Sequence, residues 1–165
     1  MGFEIISTLE SSLQKQAILE IRDCNDFTEK YGVVLTDDEA IDLVKTRSIA
    51  LQKNGRIEFG GGIIHKIIKA LCDSPYISMQ NYAETLHELL ELFYYFKNET
   101  FDLISDNDLI QYMEKAFNSS CQGSLEILAG RELNRLVRKL HNGNVSDDGD
   151  NILDYEENPE GKCYE

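Results

Sequence analysis

The sequence predicts an all-α fold: an irregular bundle of about six helices with an acidic C-terminal tail. Apolar residues recur three and four positions apart along most of the chain, the spacing that lines one face of a helix. Helix-start signals stand at Thr36 and Ser105. Alternating strand-type runs are almost absent, and only 2 prolines interrupt 165 residues.

The first helix is expected over about 7–31, with Leu9, Leu13, Ala17, Leu19 and Ile21 as its apolar residues and a break near Asn25. Gly32 is its natural C-cap. Thr36-Asp37-Asp38-Glu39 reads as a capping box, in which the Thr hydroxyl takes a free N–H and the Glu reaches back. It opens a second helix to Lys53, ended by Asn54-Gly55. Arg56-Ile57-Glu58-Phe59 alternates and suggests a short extended segment. After Gly60-Gly61-Gly62 a third helix runs from about Ile63 to Asp73, where Ser74-Pro75 stops it, because the residue before proline avoids helical backbone. The fourth is expected from about Ser78 to Lys97, with Tyr82, Leu86, Leu89, Leu90 and Phe93 as its core stripe. Ser105 caps a fifth that ends near Asn118, and Ser124 opens a sixth that ends at His141-Asn142-Gly143. Gly130 inside the sixth signals close helix packing or a break.

The expected organisation is a helical domain over 1–141 and a solvated tail over 142–165, where eight acidic residues face Lys162 alone. The longest apolar run is Leu92-Phe93-Tyr94-Tyr95-Phe96, far below the roughly 18 residues of a membrane span. Glu4 and Glu10 near the start argue against a secretory leader, so a cytoplasmic location is expected. Cys24, Cys72, Cys121 and Cys163 are widely spaced, without a CxxC pair or a Cys/His cluster, and read as free thiols in a reducing compartment.

The candidate chemistry is local. Gly60-Gly61-Gly62 at a helix start could offer N–H groups to an anion, with Arg56, His65 and Lys66 beside it. It matches neither phosphate-loop signature, and three glycines also suit a plain tight turn. Glu84, Glu88 and Glu91 share one helix face with His87 at its edge, and Glu84-x-x-His87 is the spacing of di-iron bundle ligands. The partner ExxH that such a site needs is missing from the sequence, and a solvated acidic face explains these residues more simply; no cofactor is expected. Arg131, Arg135 and Arg138 form a basic stripe. With a net charge of −14, its expected counterpart is an acidic face of this chain or of a second copy, not nucleic acid. Tyr94 and Tyr95 belong to an aromatic run too wide for one core face, which suggests an interaction surface.

Several stretches carry a resemblance together: Thr46-Arg47-Ser48, 54–62, Cys72-Asp73-Ser74-Pro75-Tyr76-Ile77, 81–88, Phe93-Tyr94-Tyr95-Phe96-Lys97-Asn98-Glu99 and Cys121-Gln122-Gly123-Ser124-Leu125-Glu126. Over residues 1–141 the chain resembles a family of small uncharacterised proteins of Gram-positive bacteria, a domain of unknown function. The resemblance implies a cytoplasmic bacterial protein and brings no reaction, cofactor or catalytic residue. The leading functional expectation is a non-enzymatic interaction or adaptor module with a protein partner or a second copy, acting through the 56–62 turn and the fourth helix. The alternatives are a metal-binding or enzymatic protein using Glu84, His87, Glu88 and Glu91, and an acidic mimic of nucleic acid.

Overall fold

The computed structural model describes residues 2–58 and 60–142. Phe59 and the acidic stretch beyond Asn142, including Cys163, lie outside the described residues. The fold is all-α: 73% of the chain is helical, and no strand occurs among the described residues. The helices are α1 (Gly2–Asp23), α2 (Asn25–Thr28), α3 (Asp37–Asn54), α4 (Gly62–Leu71), α5 (Tyr82–Glu99), α6 (Asp106–Asn118), α7 (Leu125–Ile127) and α8 (Leu133–His141). A 3-10 turn, Glu29–Tyr31, follows α2, and a π turn, Leu128–Glu132, joins α7 to α8.

The expected caps form. The Thr36 hydroxyl accepts from Glu39 N–H at 3.1 Å, and the Glu39 carboxylate accepts from Thr36 N–H at 2.9 Å. Ser105 and Ser124 accept in the same way from Asp108 N–H at 3.1 Å and from Ile127 N–H at 3.2 Å. The first expected helix breaks at Cys24, one residue before the expected place. Residues 56–58 have no regular structure, so the expected extended segment does not pair as a strand. α5 begins four residues after Ser78, because Asn81 Oδ1 accepts from Ser78 N–H at 2.9 Å and holds a turn there. Of the two readings of Gly130, the break is the one that forms: the glycine sits in the π turn, and a Cβ built on it would meet nothing within 4 Å.

The described residues group into two compact units. One takes in the chain up to Asp73 together with Ile77–Tyr94; the other takes in Ser74–Tyr76 and the described residues from Tyr95 on. In the first unit α1, α3 and α4 pack on one another. Ala17, Ile21, Leu43, Ile64, Ile67 and Ile68 are buried there, and so is the whole expected stripe Tyr82, Leu86, Leu89, Leu90 and Phe93. Each large side chain so buried contributes about 1.5–3 kcal/mol, the main source of stability for helices whose own propensity is marginal.

In the second unit the core is formed by Phe96, Leu109, Tyr112, Met113, Phe117, Leu128, Leu133 and Leu136. The Tyr112 hydroxyl donates to the carbonyl of Glu132 at 2.9 Å. The buried Lys97 ammonium donates to the Ile104 carbonyl and sits 2.9 Å from Asp106, which fixes the turn between α5 and α6.

Candidate functional site

The site grows out of the first unit, where α3 delivers Arg47 beneath the glycine turn. Arg47 is 4% exposed. Its Nη1 donates to the Gly60 carbonyl at 2.7 Å and lies 3.5 Å from Glu58 Oε1. The Tyr94 hydroxyl donates to Glu58 Oε2 at 2.6 Å, and Ile63 N–H reaches Glu58 Oε1 at 3.3 Å. Gly61 N–H donates to Glu20 Oε1 at 2.6 Å.

Backbone conformation is what favours glycine at Gly60 and Gly62. Gly60 and Gly62 have φ of 60° and 48°, in the left-handed region. A Cβ at Gly60 would stand 2.6 Å from Glu20 Oε1, and one at Gly62 would stand 2.6 Å from Glu58 Oε1. Two of the N–H groups expected to face an external anion, those of Gly61 and Ile63, are taken by the chain's own carboxylates. Glu20 and Glu58 are that anion: a helix start carries partial positive charge, and two of the chain's own carboxylates satisfy it.

Beside this cluster opens a cleft of about 450 Å³, lined by Gln14, Arg47, Ser48, Leu51, Gln52, Arg56, Ile57, Glu58 and Gly60. Its size falls within the roughly 300–1,000 Å³ of ligand pockets. Gln14 Nε2 donates to Ser48 Oγ at 3.4 Å across its rim. Arg47 Nε is buried and finds no acceptor among the described residues. Two guanidiniums, two amides and a hydroxyl make this a surface for recognition. Glu58 is already held by Tyr94, Arg47 and Ile63.

Of the candidate anion residues, Arg56 and Gly60 line the cleft; Gly61 and Gly62 belong to the internally satisfied turn. His65 is half-buried and Lys66 exposed on α4, and neither lines the cleft. Sequence reasoning missed Gln14, Ser48 and Gln52 as site residues. Arg47 and Gln14 stand 33 residues apart, and no short motif links them.

Glu84, Glu88 and Glu91 are exposed on α5, while His87 Nδ1 lies 2.9 Å from Thr46 Oγ1. Among the described residues no group of three or more His, Cys, Asp or Glu is arranged to hold a metal ion, so the metal reading of this face lacks its geometry. Tyr94, expected at an interaction surface, is 2% exposed, because its ring joins the core and its hydroxyl serves Glu58. Tyr95 is 58% exposed. Arg131 Nε and Arg135 Nη1 lie 2.8 and 3.3 Å from the carboxylate of Glu132, whose side chain is 1% exposed. The counter-charge for these two arginines is thus their own helix neighbour. Arg138 is exposed on α8.

Burial pushes the thiols of Cys24 and Cys72 up from their ordinary value, with Lys69 opposing at Cys24 and Asp73 adding at Cys72. Burial also raises the Tyr82 phenol, opposed in part by the Thr28 hydroxyl. These groups stay protonated and act as packing residues.

Among the described residues, no helix is long and apolar enough to cross a membrane. Comparison with curated proteins and with solved structures finds no match. A family model described as a family of unknown function (DUF6323) matches residues 20–146, and the chain belongs to that family.

Proposed function

We propose that this chain is a non-enzymatic binding module, an interaction or adaptor domain that engages its partner through the cleft of the first unit. The observation that carries the reading is Arg47, a buried guanidinium that lines an open cleft and keeps one N–H without an acceptor among the described residues. A buried donor left unsatisfied costs about 1–3 kcal/mol, which favours a partner that completes it. The lining groups offer charge and hydrogen bonding to a partner. Cys24 and Cys72 are free and buried thiols, which supports a reducing, cytoplasmic setting.

The test is retention on the immobilised full chain against a Gln52→Trp variant. Gln52 is exposed on α3 at the cleft, so a bulky ring there fills the space without entering the core. Proteins and small molecules retained by the parent chain from native extracts should be lost by the variant. Identical retention by both would overturn the cleft as the binding surface.

A further inference from the structure

We propose that the turn between α5 and α6 is the seam of a symmetric homodimer, in which Phe101 and Leu103 of one copy meet the same residues of a second and Arg138 of each copy pairs with Glu99 of the other. This surface lies wholly in the second unit, so the inference does not depend on the cleft of the first.

The backbone of the turn is costly. Phe101 and Asp102 have φ of 55° and 59°, two consecutive left-handed residues, neither of them glycine. Aspartate tolerates that region, whereas a residue with a bulky ring rarely enters it. The turn is nevertheless held in place. Phe101 N–H donates to the Asn98 carbonyl at 3.0 Å, and Leu103 N–H donates to the Thr100 carbonyl at 3.0 Å. The buried Lys97 ammonium ties the Ile104 carbonyl to Asp106. The strain does not bury the side chains it carries, since Phe101 is 70% exposed and Leu103 is 60% exposed. Folding alone gains little from large apolar groups held outward on a fixed, strained turn, and such strain concentrates at binding sites.

The surface around the turn is continuous. One face of the Phe101 ring is stacked on His141, with centroids 4.7 Å apart and planes 10° off parallel. His141 Nε2 lies 2.7 Å from the Glu99 carbonyl, which joins the end of α8 to the end of α5. Arg138 stands one turn before His141 on α8, and the exposed Tyr95 stands one turn before Glu99 on α5.

The charges select a second copy as the occupant. Arg138 and Glu99 are both exposed, and among the described residues neither side chain has an ion-pair partner. A cation and an anion therefore border the same apolar centre. A two-fold axis through that centre sets each cation against the other copy's anion, so the surface is complementary to itself. A partner of one charge sign would leave Arg138 or Glu99 facing like charge. The apolar centre is small, so the expected dimer is weak and concentration-dependent.

The test is sedimentation velocity of the full chain over rising concentration. Two copies that each carry −14 repel at long range, so the salt is set at about 0.15 M, where the screening length is about 8 Å. The mass should rise from 18.8 kDa towards twice that value, with the rise evident by about 0.5 mM chain. Phe101→Asn removes the ring and supplies a residue that accepts left-handed backbone, so it should weaken dimerisation roughly tenfold or more. Arg138→Glu and Glu99→Arg should each weaken it several-fold, and the double variant should restore it, because the exchanged charges still meet across the axis. Circular dichroism of each variant, diluted to the monomer, should show the helical content of the parent. A parent chain that stays monomeric throughout would overturn the proposal. So would full dimerisation of a folded Phe101→Asn chain, single charge variants that dimerise as the parent does, or a double variant no better than the singles. If Phe101→Asn loses helical content, the charge series alone decides.

Discussion

Single residues of the second unit separate the two kinds of glycine in this chain. Gly123 has φ of 82°, and a Cβ there would stand 2.5 Å from Tyr76 Cβ, a stiff part of a ring-bearing side chain whose ring lies edge-on to Phe117 at 6.3 Å. Gly130 has no such constraint, since nothing lies within 4 Å of its built Cβ. Gly123→Ala should therefore cost about 2 kcal/mol or more, through backbone strain and overpacking together. Gly130→Ala should stabilise by up to about 1 kcal/mol, because alanine lowers the entropy of the unfolded chain and favours helical backbone. For a domain of this size each kcal/mol moves the melting midpoint by roughly 2–4 °C, so thermal denaturation of the two variants resolves the opposite signs. A destabilised Gly130→Ala would mean that the π turn itself needs the glycine. Neighbouring Gln122 adopts φ of 49° with an exposed side chain, and Gln122→Gly should relieve strain by several tenths of a kcal/mol.

At the level of elements, the helices were legible where their signals are local. The capping box at Thr36 needs only residues three apart, and it forms as the sequence implies. Thr36→Ala should cost about 1 kcal/mol in a urea titration with an unchanged slope; no loss would mean that packing alone fixes the start of α3. The stripe from Tyr82 to Phe93 was legible for the same reason, since 3.6-residue periodicity is a local property. The π turn was only half legible. Gly130 flagged a weakness, but the five-residue widening over 128–132 depends on how Leu128 and Leu133 enter the same core. The cleft cluster was not legible. Glu20, Arg47, Glu58 and Tyr94 are joined only by packing across long stretches of chain, and Glu20 and Glu58 occupy the donors that the glycine turn seemed to offer. Tyr94→Phe tests this element directly. It removes a charged hydrogen bond to a partly buried carboxylate and should cost about 1.5–3 kcal/mol by urea titration. It should also loosen Arg47 and weaken whatever the cleft holds. A Tyr94→Phe chain of parental stability would show that Glu58 is held well enough by Arg47 and Ile63 alone.

At the scale of the whole molecule, the composition predicts an acidic chain, and the structure shows how basic residues are absorbed within it. Arg47 meets Glu58, Lys97 meets Asp106, and Arg131 and Arg135 meet Glu132, so these basic residues are matched by acids of the same chain, which carries −14 in all. The buried protons set the alkaline limit of the fold. Cys24 and Cys72 are held above their ordinary value of 9.0 by burial, and Tyr82 is raised from 10.0 for the same reason. The folded chain thus keeps protons that the unfolded chain releases. Below about pH 8 both states hold them and stability is full. As pH rises past 9.0 the unfolded chain deprotonates first, and stability falls progressively towards the raised native values. The urea midpoint should therefore decline between about pH 8 and about pH 10.5. The comparison that decides is with the Cys24→Ala, Cys72→Ala double variant. That variant starts lower, because two small buried side chains are trimmed, but its decline with pH should be shallower than that of the parent chain. Parallel declines would show that the thiols contribute nothing to the alkaline limit. A midpoint that rises with pH would reverse the assigned direction of their shifts.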